Sequence, residues 1–298
     1  MQFFSFEDAP LHTRGENHRV GTFRYKDLGQ GAPGQPGNFY LRWVLSASDF
    51  FSPRHFHNFD QVRLQLRGTF AFGEDGTMHP GTIGYFPEST PYGPQTSAED
   101  TAQLVLQIGA PGGAGYVGEV ERTAAVAALN RSGRFSGGRY FAASDAGGAG
   151  QDGFEAAWEQ ASGRKVRYAR RRFERPMLVH PDAFEWLAHA TLPGVRHKRL
   201  WDFGRQTVGC ELYGLDAGAQ LPLSGPLTAW VMSGAGGCSH GTSTLPYAPC
   251  DALHLEAAEH ANLKAHAASE ILILTHPVFT DRTLPGGAAL PSSTPEHA

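Results

Sequence analysis

Three things are scarce in this sequence, and each scarcity narrows what the chain can be. Cysteine occurs only as Cys210, Cys238 and Cys250 in 298 residues. An odd, sparse set without Cys-x-x-Cys spacing builds no disulfide framework and reads as free thiols in a reducing compartment. Charged side chains make up 18% of the chain and the net charge is −4. That balance lacks the basic stripe a nucleic-acid binder needs. Long apolar runs are missing as well: none approaches the roughly 18 residues of a spanning helix. The opening MQFFSFEDAP has no basic region and reaches acid within eight residues, so it does not read as a signal peptide. The expectation is a cytoplasmic protein with neither membrane nor nucleic acid as partner.

What is abundant is glycine (37) and proline (20), beside an apolar fraction of 41%. This composition suits many short strands with frequent turns. Between Phe39 and Gly109, apolar runs of about five residues (Tyr40–Leu45, Val62–Leu66, Thr82–Phe86, Leu104–Ile108) are separated by turn clusters such as Gly73–Gly76 and Pro87–Pro91. From Lys198 to Phe279 the pattern returns, with Gln206–Leu212, Leu227–Met232, Ala252–Leu255 and Glu270–Thr275 as strands. The middle differs. Val117–Asn130 reads as a helix and Gly153–Gly163 as a second short one. The Gly-rich Ser132–Gly153 reads as a flexible connector. Lys165, Arg167, Arg170, Arg171 and Arg172 form a basic run, read as a solvated face. Thr283–Ala298 reads as a flexible tail.

The segment that carries chemistry is Arg54-His-Phe-His-Asn-Phe-Asp-Gln61. In a strand, residues two apart share a face, so His55, His57 and Gln61 point one way and Asp60 the other. Two imidazoles and a polar third side chain on one face outline a site for a first-row metal. The same parity carries on to Phe59, Arg63, Gln65 and Arg67. Val62, Leu64 and Leu66 face the other way, toward a second barrel or another subunit.

These residues resemble the cupin family. Its first motif is His-x-His, three or four residues, Glu, six residues, Gly. Here it runs His55-x-His57, three residues, Gln61, six residues, Gly68. The second motif is Gly, five residues, Pro-x-Gly, two residues, His, three residues, Asn. Here it runs Gly81, five residues, Pro87-x-Ser89, two residues, Tyr92, three residues, Thr96. Spacing is kept throughout, but Gln61 stands for the glutamate and Tyr92 for the last histidine. A weaker copy of the first motif runs Gly218, Ser224-x-Pro226, Trp230, Gly237, with no ligand kept.

The resemblance implies an all-β chain of two tandem antiparallel jelly-roll barrels with a few short helices between them. It divides the chain into a barrel over 1–120, a connector over 121–190, a second, degenerate barrel over 191–282 and the tail. It implies one divalent transition metal (Fe, Mn, Ni or Zn) on His55 and His57, with Gln61 as third ligand or as the residue that orients a histidine. It implies a dioxygenase, isomerase or lyase acting on a small polar or anionic molecule, with a ligand-binding or sensory cupin as the alternative. Tyr92 is then an acid or base and Arg63 orients a carboxylate. A buried Arg63 needs either that ligand or an internal Asp or Glu. Trp230 is expected to fill the second barrel, which serves stability and assembly. His254 and His260 are the alternative ligands there. The apolar face also allows a homo-oligomer.

Overall fold

The computed structural model describes residues 1–15, 22–31, 38–109, 116–144 and 147–278. The expected tail lies outside them. Two seven-stranded antiparallel sheets dominate. The first runs, from edge to edge, Met177–Val179, Ile83–Phe86, Asp60–Arg67, Thr101–Ile108, Phe39–Ser46, Thr22–Gln30 and His12–Gly15. The second runs Gln2–Phe4, Ala252–Leu255, Leu227–Ser233, Ser269–Thr275, Gly209–Leu215, Val195–Trp201 and Leu187–Ala188. A four-stranded sheet accompanies each, so the chain is two tandem jelly-roll barrels.

The order of strands contains an exchange. Gln2–Phe4 leads into the first barrel but pairs with Ala252–Leu255 of the second. Met177–Val179 leads into the second barrel but pairs with Ile83–Phe86 of the first. Each large sheet is thus completed at one edge by a strand from beyond its own unit, which covers backbone groups that would otherwise be open.

The two large sheets also pack on each other. Val62, Leu64, Ile83 and Tyr85 of one share a buried cluster with Trp201, Cys210, Leu212, Trp230 and Leu272 of the other. The Val62–Leu64 face therefore meets the second barrel. Trp230 departs from its expected place. It pairs with Ala252 and Leu272, which share its cluster, while its neighbours Ala229 and Val231 point into the second barrel. That interior is filled by Leu221, Leu223, Leu227, Leu253, Leu263 and Ile271 among others.

His254 and His276 sit on the same outer face, both buried. The Thr228 hydroxyl lies 3.3 Å from His254 Nδ1 and 2.8 Å from His276 Nε2. Phe39 of the first barrel stacks on His254 at 4.0 Å and meets His276 edge-on at 5.3 Å. His260 is exposed on the opposite, four-stranded sheet, bonded to Ser224.

The connector is more ordered than its composition suggests. Helix α1 spans Glu119–Ser132, with Glu119 and Glu121 in its first turn and Arg131 in its last, as the helix dipole favours. Helix α2 spans Gly153–Ser162, capped by Asp152, whose side chain accepts from Phe154 N and Glu155 N. Between them Gly133–Ser136, Arg139–Ala142 and Gln151–Asp152 form a small sheet in place of the flexible linker that the glycine content implies. Tight turns use the glycines, and the hydrogen bonds of the hairpin order the rest.

Trp230→Ala should cost about 3–5 kcal/mol by denaturant unfolding, through a cavity opened between the barrels. A second measurement concerns acid. Burial holds the His276 imidazole well below its ordinary value, reinforced by His254, and burial lowers His254 against the opposing pull of Glu256. Both hold a proton less tightly when folded, so the unfolded chain binds protons that the native one does not. Their contribution is complete above about pH 6.5 and is lost as pH falls below it. Stability measured from about pH 8 to about pH 5.5 should decline on the acid side, and His276→Gln should flatten that decline.

Candidate functional site

The inner face of Asp60–Arg67 is the floor of a cavity in the first barrel, of about 190 Å³. His55, His57, Gln61 and Arg63 all line it, so the structure gathers the residues the motif singled out. Tyr92 stands beside them, 4.7 Å from the His55 ring and 5.9 Å from the His57 ring. The two histidine rings are 4.9 Å apart.

The backbone explains the meeting. His55 and Tyr92 exchange both backbone hydrogen bonds, at 3.1 and 2.9 Å, which ties the two motifs together. His57 O accepts from Ser89 N at 2.8 Å. Ser89 replaces the motif's glycine and still adopts its left-handed conformation, with φ of 65°. Gly68 has φ of 68°, and a Cβ there would lie 2.9 Å from Asp100 O. The spacing is kept because these turns need it.

Side chains fix the histidines. His55 Nδ1 is 2.6 Å from Pro53 O, an acceptor, so that nitrogen carries the proton. Nε2 then accepts from the Gln95 amide at 3.2 Å. The His57 ring stacks on Phe59 at 4.5 Å and meets Phe154 of α2 edge-on at 4.7 Å. Helix α2 also brings Trp158 to the cavity wall, and α1 brings Glu119 and Arg122. The connector is therefore the cover of the cavity.

Arg63 is the central charge. Its Nε donates to Gln61 Oε1 at 2.6 Å and its Nη1 to Gln95 Oε1 at 2.9 Å. The rings of Phe72, Phe86 and Tyr92 surround it at 5.2–5.8 Å. No Asp or Glu among the described residues forms an ion pair with it, so the internal carboxylate expected as one of its two partners is not found there. Burial lowers its pKa, with Tyr92 opposing the shift. The nearby amide fares differently. Gln65 accepts from Gln103 at 2.6 Å and donates to the carbonyls of Arg67 and Gly68.

Behind the floor, Asp60 is fully buried and faces away from the cavity, as its parity requires. It accepts from Tyr85 Oη, from Glu88 N, and through both oxygens from Arg172 at 2.6 and 2.8 Å. So one member of the basic run is an internal partner and not part of a solvated face. Gln95 and Arg172 are the residues that sequence reasoning missed. No local motif marks either: Gln95 arrives from the small sheet, and Arg172 lies 112 positions from Asp60.

The donor set does not fit a resident divalent metal. Two imidazoles and an amide supply no negative charge, and Gln61 Oε1 is held by a cation. No group of three or more His, Cys, Asp and Glu able to hold a metal occurs among the described residues. At an effective dielectric of 20, each unit of like charge at 4 Å costs about 4 kcal/mol, and a divalent ion beside Arg63 carries two.

No protein-family model matches this sequence, and no curated protein does. Solved structures do match. A deletion mutant of Bacillus subtilis oxalate decarboxylase aligns over 92% of this chain and 76% of its own, with 14% identity and a TM-score of 0.54. A candidate dioxygenase from Nostoc punctiforme aligns over 99% and 87%, with 12% identity and a TM-score of 0.56. A protein from Geobacillus kaustophilus aligns over 94% of each chain, with 11% identity and a TM-score of 0.51. Identities this low speak for the fold.

Arg172→Ala would strand the Asp60 carboxylate behind the floor, and should cost up to about 3–5 kcal/mol by urea unfolding. Adding Asp60→Asn removes the stranded charge and should recover part of that loss in a double-mutant cycle.

Proposed function

We propose that this chain, a cupin by fold with two barrels in tandem, binds a small organic anion in its first barrel and acts on it by proton transfer. The carrying observation is Arg63: a buried guanidinium on a cavity wall, bonded to the Gln61 and Gln95 amides, beside the Tyr92 phenol and framed by aromatic rings, with no carboxylate among the described residues paired to it. A buried cation is costly without a counter-charge, and a carboxylate matches the guanidinium fork.

The groups around Arg63 favour proton transfer once an anion is bound. The Tyr92 hydroxyl donates to Gln61 Oε1 at 3.4 Å behind Arg63, and His57, which lines the cavity, has its ring 5.9 Å from that of Tyr92. A phenol and an imidazole on one substrate can take a proton from carbon and return one to oxygen or carbon. Phe154 and Trp158 of α2 supply apolar wall to the same cavity. Among the reaction classes that the cupin resemblance implies, isomerisation and elimination use such groups. A dioxygenase needs a redox centre, which the donor set here does not favour.

Small carboxylates such as pyruvate and benzoate should raise the unfolding midpoint of the wild-type protein. Arg63→Gln should weaken the better binder by about 10–100-fold, the worth of a charge-assisted bond. No protection of the wild type by any carboxylate tried, or undiminished binding by Arg63→Gln, would sink the proposal. Tyr92→Phe separates enzyme from binding protein. Loss of turnover with binding kept supports catalysis, while a folded wild type that binds and never turns over carboxylates supports the sensory reading.

A further inference from the structure

We infer that the Arg63 guanidinium takes the place of the metal in the first barrel, so that this site takes an anion and does not hold a divalent cation. The inference rests on the anion reading of the cavity and goes beyond it. Its basis is where the guanidinium sits. Gln61, in the motif position of the acidic ligand, turns its only acceptor oxygen to Arg63 Nε at 2.6 Å. Gln95 uses its oxygen for Arg63 Nη1 at 2.9 Å and its amide nitrogen for His55 Nε2 at 3.2 Å. One planar cation thus engages the third ligand position directly and the first through a single amide.

The charges explain the substitution pattern. A carboxylate at position 61 would neutralise Arg63 and leave the site without free positive charge. A neutral amide at position 61 orients the guanidinium while leaving its charge for a ligand. The Gln61 and Arg63 pair is therefore one device: it removes the negative charge that would attract a metal and installs a fixed positive charge two residues away on the same face. Phe72, Phe86 and Tyr92 hold that charge at the depth of the barrel. What a metal would supply to an anionic substrate, a positive point deep in the cavity, comes here from the chain itself. It cannot be removed by a chelator.

The test uses Zn²⁺ as the metal probe and pyruvate or benzoate as the anion. Wild-type protein, purified without an affinity tag, should bind no stoichiometric Zn²⁺ by calorimetry and elemental analysis. Its carboxylate affinity should be the same with and without EDTA. Gln61→Glu combined with Arg63→Gln restores the acidic ligand and removes the cation. This double variant should bind one equivalent of Zn²⁺ at least about tenfold more tightly than wild type, and His55→Ala added to it should abolish that binding. One equivalent of Zn²⁺ on the wild type, lost in His55→Ala, overturns the inference, as does a carboxylate affinity that EDTA removes. A double variant that keeps a cooperative unfolding transition and gains no metal overturns it too. If the double variant does not fold, the two wild-type measurements decide. Failure of the anion reading looks different: no carboxylate binds the wild type, with EDTA or without.

Discussion

Strict alternation along Asp60–Arg67 is the constraint on which the rest of this structure depends. Gln61 and Arg63 line the cavity and Gln65 shares their face, while Val62 and Leu64 meet the second barrel and Asp60 meets the connector. A slip of one residue would exchange the two sets, placing leucines in the cavity and a guanidinium in the apolar interface. Neither outcome is tolerable energetically. The interface cluster and the cavity floor therefore fix each other's register through a single backbone. On the floor side the polar groups are answered one by one: Gln65 by Gln103, Gln61 and Gln95 by Arg63. The charge of Arg63 meets no carboxylate among the described residues.

The back of the strand needs its own anchor, and the connector provides it. Asp60 is buried at the start of the strand, and its carboxylate gathers Tyr85, the backbone of Glu88 and Arg172. Glu88 lies in the second motif's turn and Tyr85 in the next strand, so one carboxylate joins both motifs to the connector. Five residues after Arg172 the chain pairs as Met177–Val179 with Ile83–Phe86. The same connector covers the cavity with Phe154 and Trp158. A segment that is Gly-rich and basic in sequence is thus held to the first barrel from both sides.

How much of this was legible depends on how local each signal is. The cavity residues were legible because parity within one strand, and the spacing from His55 to Gly68 and from Gly81 to Tyr92, are short-range properties. The turns that enforce the spacing leave marks in the sequence, Gly68 and Gly81 above all. Arg172 was not legible, since nothing near it announces a partner 112 positions away. Gln95 comes three residues after Tyr92 yet acts through a different sheet. Trp230 shows the limit of motif spacing without ligands. With no histidine to mark the inner face, the copy from Gly218 to Gly237 leaves the parity undetermined. The structure turns Trp230 to the interface and Ala229 and Val231 inward. The order of the connector was hidden because glycine permits both a flexible linker and a tight hairpin.

The asymmetry between the barrels has an energetic logic. The first holds glutamines, imidazoles and an arginine where the second holds leucine, isoleucine and alanine. Burying amides and a cation gains little and costs desolvation, whereas each buried aliphatic side chain contributes about 1.5–3 kcal/mol. The first barrel keeps an apolar cluster of its own beside these groups, Phe70, Phe72, Met78, Phe86 and Tyr92. It is also held from outside, by the cluster shared with Trp201 and Trp230 and by the strand lent by the chain ahead of the second barrel. The exchange is reciprocal, because Gln2–Phe4 completes the other sheet. Separating the barrels would therefore expose the apolar face of Val62 and Leu64 and open two sheet edges together. The shared surface and the exchanged strands are the contacts through which the filled second barrel bears on the stability of the first. In that arrangement the second barrel needs no ligands of its own to bear on the site in the first.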